Sequence, residues 1–161
     1  GSRCFFTSDE SQLTWLPDQP YTPGSWGYIG GEERGTETEI RNTADGPLFQ
    51  TLRNGIEGYR FDVPKGVYEI EFLFTDIFRQ NSSAAYLLGR DGAHENREST
   101  FGISINGSTV EESLSPCKES GYFHALRKKY IVNNEADSLE IRFHTISGKC
   151  FLNGIKLRNI Y

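Results

Sequence analysis

Polar and apolar residues alternate along much of this chain with the period of a strand. In the segment from Val67 to Phe74, the side chains of Tyr68, Ile70, Phe72 and Phe74 share one face, and Glu69 and Glu71 share the other. Successive side chains of a strand point to opposite sides, so this segment reads as a half-buried strand. Tyr59 to Val63 alternates in the same way, and Pro64-Lys65-Gly66 between the two reads as the turn of a hairpin. Phe101 to Ile105 and Ser108 to Val110 flank Asn106-Gly107, a dipeptide suited to a type I′ turn. Further strands are predicted over 123–132, 138–144 and 149–160. Gly154 inside the last predicts a bulge or a close approach by another group. No segment keeps a helical period for long. Short strands punctuated by turns predict an all-β fold: an antiparallel β-sandwich, jelly-roll or galactose-binding-like, forming a single domain over residues 1–161.

Two segments escape the alternation, 8–36 and 75–100, and are predicted to be long irregular loops. Such loops usually carry function. The first holds both tryptophans, Trp15 and Trp26, together with Tyr21 and Tyr28, among Pro17, Pro20, Pro23 and four glycines. That density of Pro and Gly argues against a helix or an interior strand. Phe78 and Tyr86 fall in the second loop, and Tyr122 and Phe123 follow Pro116-Cys117. Rings with a polar handle suit a surface that is half apolar and half wet. A sugar offers both, with a C–H face for stacking and a hydroxyl rim for Asp, Gln or Arg. The competing reading makes the rings small cores that pin the loops to the sandwich. For Trp15 both readings stand. Trp26 and Tyr28 sit beside glycines, which allow close approach by a ligand or by another strand.

Composition narrows the field. The chain has 161 residues, of which 36% are hydrophobic and 13% aromatic, enough for a real core. Its net charge is −5, and Arg127-Lys128-Lys129 is its one basic run, so no nucleic-acid partner is expected. No apolar run approaches the ~20 residues of a membrane span, and no membrane partner is expected. The chain contains no Met and opens Gly1-Ser2-Arg3-Cys4, which reads as a fragment of a longer protein with an expression scar at Gly1. Cys4, Cys117 and Cys150 form no Cys-x-x-Cys pair; an oxidising compartment would allow one disulfide with one thiol left over, and three reduced thiols are expected. His94, His124 and His144 stand alone in sequence and read as surface or strand-face residues. Asp18, Asp45, Asp76 and Asp91 fall in predicted loops. A pair of them flanking a glycosidic bond would make a hydrolase; without a supporting motif they read as turn aspartates. No metal-ligand spacing or cofactor motif is present, and neither metal nor cofactor is expected.

Five motifs in order carry a resemblance. They are Asp45-Gly46 through Leu48-Phe49-Gln50 to Arg53-Asn-Gly55; Tyr59-Arg-Phe61 through Pro64 to Tyr68; Leu73-Phe74-Thr75-Asp76; Phe101 to Asn106-Gly107; and Phe151-Leu152-Asn153-Gly154-Ile155. Over nearly the whole chain this order resembles the malectin-like carbohydrate-binding modules. The stretches from Trp15 to Tyr21 and from Trp26 to Gly31 look closer to the modules appended to bacterial glycoside hydrolase family 2 enzymes of the β-galactosidase and β-glucuronidase type. The resemblance implies a β-sandwich whose loops cradle a glycan, with catalysis in the same polypeptide outside this chain. It implies a periplasmic or extracellular parent protein, a polysaccharide or oligosaccharide ligand, and the parent's catalytic domain as a partner in cis. It places candidate glycan contacts at Phe49, Asp76 and Phe78; Ile77 stands where the family has a tyrosine. Trp15, Tyr21, Trp26, Tyr28 and Arg53 complete the candidate set, with Asp18 and Gln50 as further hydrogen-bonding groups and Arg53 as a clamp for a sugar carboxylate. The alternative function is an accessory domain that packs on the parent enzyme without binding sugar.

Overall fold

The structure, a computed structural model, describes residues 4–7, 14–79 and 98–161. Its strands are β1 (Phe5–Phe6), β2 (Thr14–Trp15), β3 (Trp26–Ile29), β4 (Glu32–Gly35), β5 (Thr51–Asn54), β6 (Gly58–Phe61), β7 (Gly66–Phe74), β8 (Thr100–Ile105), β9 (Ser108–Leu114), β10 (Leu126–Asn134), β11 (Leu139–Ser147), β12 (Phe151–Leu152) and β13 (Gly154–Asn159). Two short helices, α1 (Gly46–Phe49) and α2 (Pro116–Ser120), each begin on a proline-containing first turn, where the missing N–H costs nothing. One antiparallel sheet has the order β3-β6-β11-β8-β9. Facing it are β10-β7-β13 and β12-β5-β4, while β1 and β2 pair with each other. The result is the all-β sandwich expected from the alternation.

The core between the sheets is built of rings. Phe72, Phe74, Phe101 and Phe151 are fully buried with Ile70, Ile103, Leu139 and Ile141. Phe101 lies 5.8 Å from Phe74 and 5.6 Å from Phe151, centroid to centroid, in the tilted and edge-on geometries that aromatic quadrupoles favour. A second cluster lies against Leu73, on the opposite side of β7. It contains Ile40, Leu48, Phe49 and Ala125, with Phe5, Trp15 and Phe123 packed on it. Leu73 is therefore buried although its neighbours in the alternation face the main core. Glu71, on the same side as Leu73, is also buried, lying 3.5 Å from Arg127 and 3.8 Å from Lys129.

Two expectations change. Residues 59–74 do not form a hairpin: β6 pairs with β3 and β11, whereas β7 pairs with β10 and β13. The turn at Pro64-Lys65-Gly66 carries the chain from one sheet to the other, which alternation alone cannot distinguish from a hairpin. The segment 8–36 is not wholly irregular, because it contains β2, β3 and β4. Most of the second predicted loop, including Tyr86, Asp91 and His94, lies outside the described residues. The Asn106-Gly107 hairpin forms as expected, with φ of 48° and 79° at its two central residues.

Candidate functional site

β3 is short because of what surrounds it. Pro17, Pro20 and Pro23 precede it, and Trp26-Gly27-Tyr28-Ile29 forms an edge strand paired with β6 on one side. On the other side the backbone folds back. Tyr28 N donates to the Gln19 carbonyl at 2.9 Å, and Tyr21 N to the Tyr28 carbonyl at 3.0 Å. A Cβ at Gly27 would collide with the backbone of Gln19, Pro20 and Tyr21. The close approach foreseen at this glycine is made by the protein's own chain.

Trp26 stacks on Tyr59, with ring centroids 6.4 Å apart and planes 13° from parallel. Burial pushes the Tyr59 phenol above its ordinary range, and the Asp18 charge adds to the shift. Tyr28 is covered by Arg53, whose Cζ stands 3.3 Å from the ring centroid. The same Arg53 donates from Nε to Asp18 Oδ2 at 2.7 Å and from Nη1 to the Gly31 carbonyl at 3.2 Å. Arg53 and Asp18 are both largely shielded from solvent, with side chains 10% and 15% exposed.

Trp15 reaches the site from β2. Its ring lies over Gly154, where an added Cβ would come within 3.3 Å of the indole and 3.0 Å of Leu73. The glycine in the last strand thus makes room for a tryptophan. The Trp15 indole N–H is buried and finds no acceptor among the described residues. Together these elements enclose an open groove of about 930 Å³, whose walls include Trp15, Trp26, Tyr59, Asp18, Arg53 and Gln50.

The other candidates go elsewhere. Phe49 is fully buried and carries Arg127 on its ring at 5.2 Å, so it has no face for a sugar and leaves the set. Tyr21 donates its hydroxyl to Asp62 at 2.9 Å, and Arg60 lies 5.3 Å from its ring; neither residue borders the groove. Asp62 also accepts from Gly24 N at 2.6 Å. The Gly24 N–H first, and the Tyr21 hydroxyl second, hold the Asp62 carboxyl below its ordinary value. Asp76 is buried at the far end of β7, where its Oδ1 accepts from Phe78 N at 3.0 Å. Burial raises its pKa. Phe78 is 38% exposed and meets Phe151 edge-on at 6.2 Å. Of the eight candidates, Trp15, Trp26 and Arg53 share the groove, Asp76 and Phe78 share a separate corner, and Tyr21, Tyr28 and Phe49 do not border the groove.

That division falls on a fold with known relatives. The sequence matches the malectin domain over residues 2–158. The chain belongs to the malectin family. Bacteroides uniformis β-glucuronidase has a region of the same structure, with a TM-score of 0.85 and 72% identity over 98% of this domain and 17% of that chain. A second structure, B. uniformis β-glucuronidase 2 covalently bound to cyclophellitol-6-carboxylate aziridine, aligns with a TM-score of 0.85 and 71% identity over 100% of this domain and 17% of that chain. The domain thus spans about a sixth of the length of those enzymes. The ANX2 ectodomain from Arabidopsis thaliana shares the fold with a TM-score of 0.67 at 13% identity, over 93% of this domain and 44% of that chain. No curated protein matches.

Within this malectin domain, the loop aspartates expected in sequence are spread out. Asp18 pairs with Arg53, Asp45 lies 3.7 Å from Arg127, and Asp76 is buried against Phe78 N. Among the described residues, no three His, Cys, Asp or Glu side chains gather as metal ligands. His144 Nε2 lies 2.8 Å from Ser104 Oγ, and His124 Nδ1 lies 2.8 Å from the Tyr122 carbonyl. Tyr59 was missed as a groove residue because its alternation marks it only as core. Asp62 was missed because nothing local ties it to Tyr21, 41 residues away.

Proposed function

We propose that this malectin domain is the non-catalytic glycan-binding module of a bacterial glycoside hydrolase of the β-glucuronidase type, in a periplasmic or extracellular parent protein. One observation carries the reading: two tryptophans from separate strands line one open groove, with Asp18, Arg53 and Gln50 on its walls. Rings offer a sugar its stacking surface, and the polar walls offer hydrogen bonds to hydroxyls. A shallow groove with two ring anchors binds at roughly millimolar to micromolar, about −4 to −8 kcal/mol. Linkage to a catalytic domain would raise the effective affinity for an extended substrate.

Affinity electrophoresis in gels containing α-glucan, β-glucan, galactan or a uronic-acid polymer tests this. Retardation by at least one polymer is expected. Trp26→Ala and Trp15→Ala should each weaken it about tenfold, equivalent to about 1.4 kcal/mol, with far-UV circular dichroism unchanged. The second reading, an accessory domain seated on the parent enzyme, is supported by Trp26 and Tyr28 already being stacked within the domain itself. No retardation on any polymer would overturn glycan binding and leave that reading.

A further inference from the structure

The charges of the groove narrow the class of glycan, an inference that rests on the glycan-binding reading above. Its walls carry three carboxylates, Asp18, Glu33 and Glu37, against two cations, Arg53 and Lys156. The cations are not equally available. Arg53 is the planar group suited to a bidentate carboxylate contact, but Asp18 and the Gly31 carbonyl already occupy its Nε and Nη1, and Tyr28 covers its face. Glu33 stands opposite Arg53 in the ladder between β4 and β5, which places a carboxylate at the groove wall without forming an ion pair with it. Lys156 stands opposite Glu71 in the ladder between β13 and β7, but the ion pairs of Glu71 are with Arg127 and Lys129, so Lys156 is the more available cation. Glu33 and Glu37 are exposed and have no ion-pair partner among the described residues. The groove walls carry one more carboxylate than cation and the whole chain carries −5, a balance that disfavours a polyanion.

We propose that the groove selects neutral glycans and rejects uronic-acid chains, with Asp18 as the specificity-determining residue that withholds Arg53 from a sugar carboxylate. Glu33 and Glu37 reinforce the rejection from the rim. The selection runs opposite to the carboxylate compound covalently bound to the similar β-glucuronidase 2, so module and catalytic domain would read different parts of a mixed polysaccharide.

The test compares wild type, Glu33→Gln with Glu37→Gln, and Asp18→Asn on gels of β-glucan, galactan and polygalacturonate. Gels are run at about 0.01 M and about 0.15 M salt, where the Debye length falls from about 30 Å to about 8 Å. Wild type should be retarded by a neutral polymer and not by polygalacturonate. The double glutamine variant should raise the ratio of polygalacturonate to neutral retardation several-fold at low salt, with less change at high salt. Asp18→Asn, checked for folding by circular dichroism, should raise the same ratio at both. Two results would overturn the proposal while leaving glycan binding in place: wild-type retardation on polygalacturonate equal to or above that on the neutral polymers, or a ratio unmoved in both variants. Retardation on no polymer at all removes the glycan-binding reading and this inference with it.

Discussion

Gly27 has no space for a side chain, because the backbone of residues 19–21 lies where its Cβ would be. Overpacking of this kind costs about 1–3 kcal/mol or more. Gly27→Ala should therefore lower the unfolding free energy by that much, read as a lower urea midpoint with an unchanged denaturant slope. Gly154→Ala differs, because the atoms it meets are the ends of the Leu73 and Trp15 side chains. There the expected outcome is a shift in tryptophan emission as the Trp15 ring is displaced, with weaker glycan retardation and a smaller loss of stability. Asn153 is a buried polar residue with three side-chain hydrogen bonds. Its Nδ2 donates to the carbonyls of Phe49 and Thr51, and its Oδ1 accepts from Thr75 N at 2.7 Å. It sits between β12 and β13, so it joins the two halves of the split sheet. Asn153→Ala leaves those backbone groups buried without partners, and equilibrium unfolding should show a loss of at least about 2 kcal/mol.

β3 and the turn before it stand or fall together. Asp62, just past the end of β6, accepts from Gly24 N and from the Tyr21 hydroxyl, which latches residues 21–24 to the sheet. Its folded pKa is depressed below 3.8, so the latch is fully formed above that value and is lost as pH falls through the lower folded value. Hydrogen exchange at the Gly24 amide should lose protection relative to core amides as pH falls through the depressed folded value of Asp62, and Asp62→Asn should weaken protection at neutral pH and abolish this acid dependence. At this scale the sequence was uneven to read. β7, β8 and β11 announced themselves because one face of each is mainly Ile, Leu or Phe and the other mainly polar or small. β3 hid because its glycine and its flanking prolines serve a backbone contact across the edge of the sheet, and no local pattern encodes a partner eight residues upstream. The site was half legible for the same reason. Trp15 and Trp26 were visible as rings without a strand-face role, whereas the capture of Arg53 by Asp18, 35 residues away, is a tertiary fact. Phe49 was misplaced because a short helix, α1, turns its ring into the second core cluster.

Across the whole molecule, buried charge opposes the latch. Asp76 is buried at the end of β7, and burial raises its folded pKa. The sign is the reverse of that at Asp62: the contribution of Asp76 is fully present below 3.8 and is lost as pH rises through its raised folded value. The domain therefore carries a penalty at neutral pH that Asp76→Asn should remove. Thermal melts at pH 4 and pH 7 should show a Tm gain on raising the pH that is larger in the variant than in wild type. β7 has a different consequence for the molecule as a whole. It ends at Phe74, yet its two partners start at Leu126 and Gly154. On a ribosome, the central strand of this sheet would leave the exit tunnel with nothing to pair against until at least fifty more residues had followed. Assembly of that sheet has to wait for the last strands to be synthesised, so nascent chains halted before residue 126 should remain sensitive to protease, and release of the C-terminal strands should be the event that confers resistance.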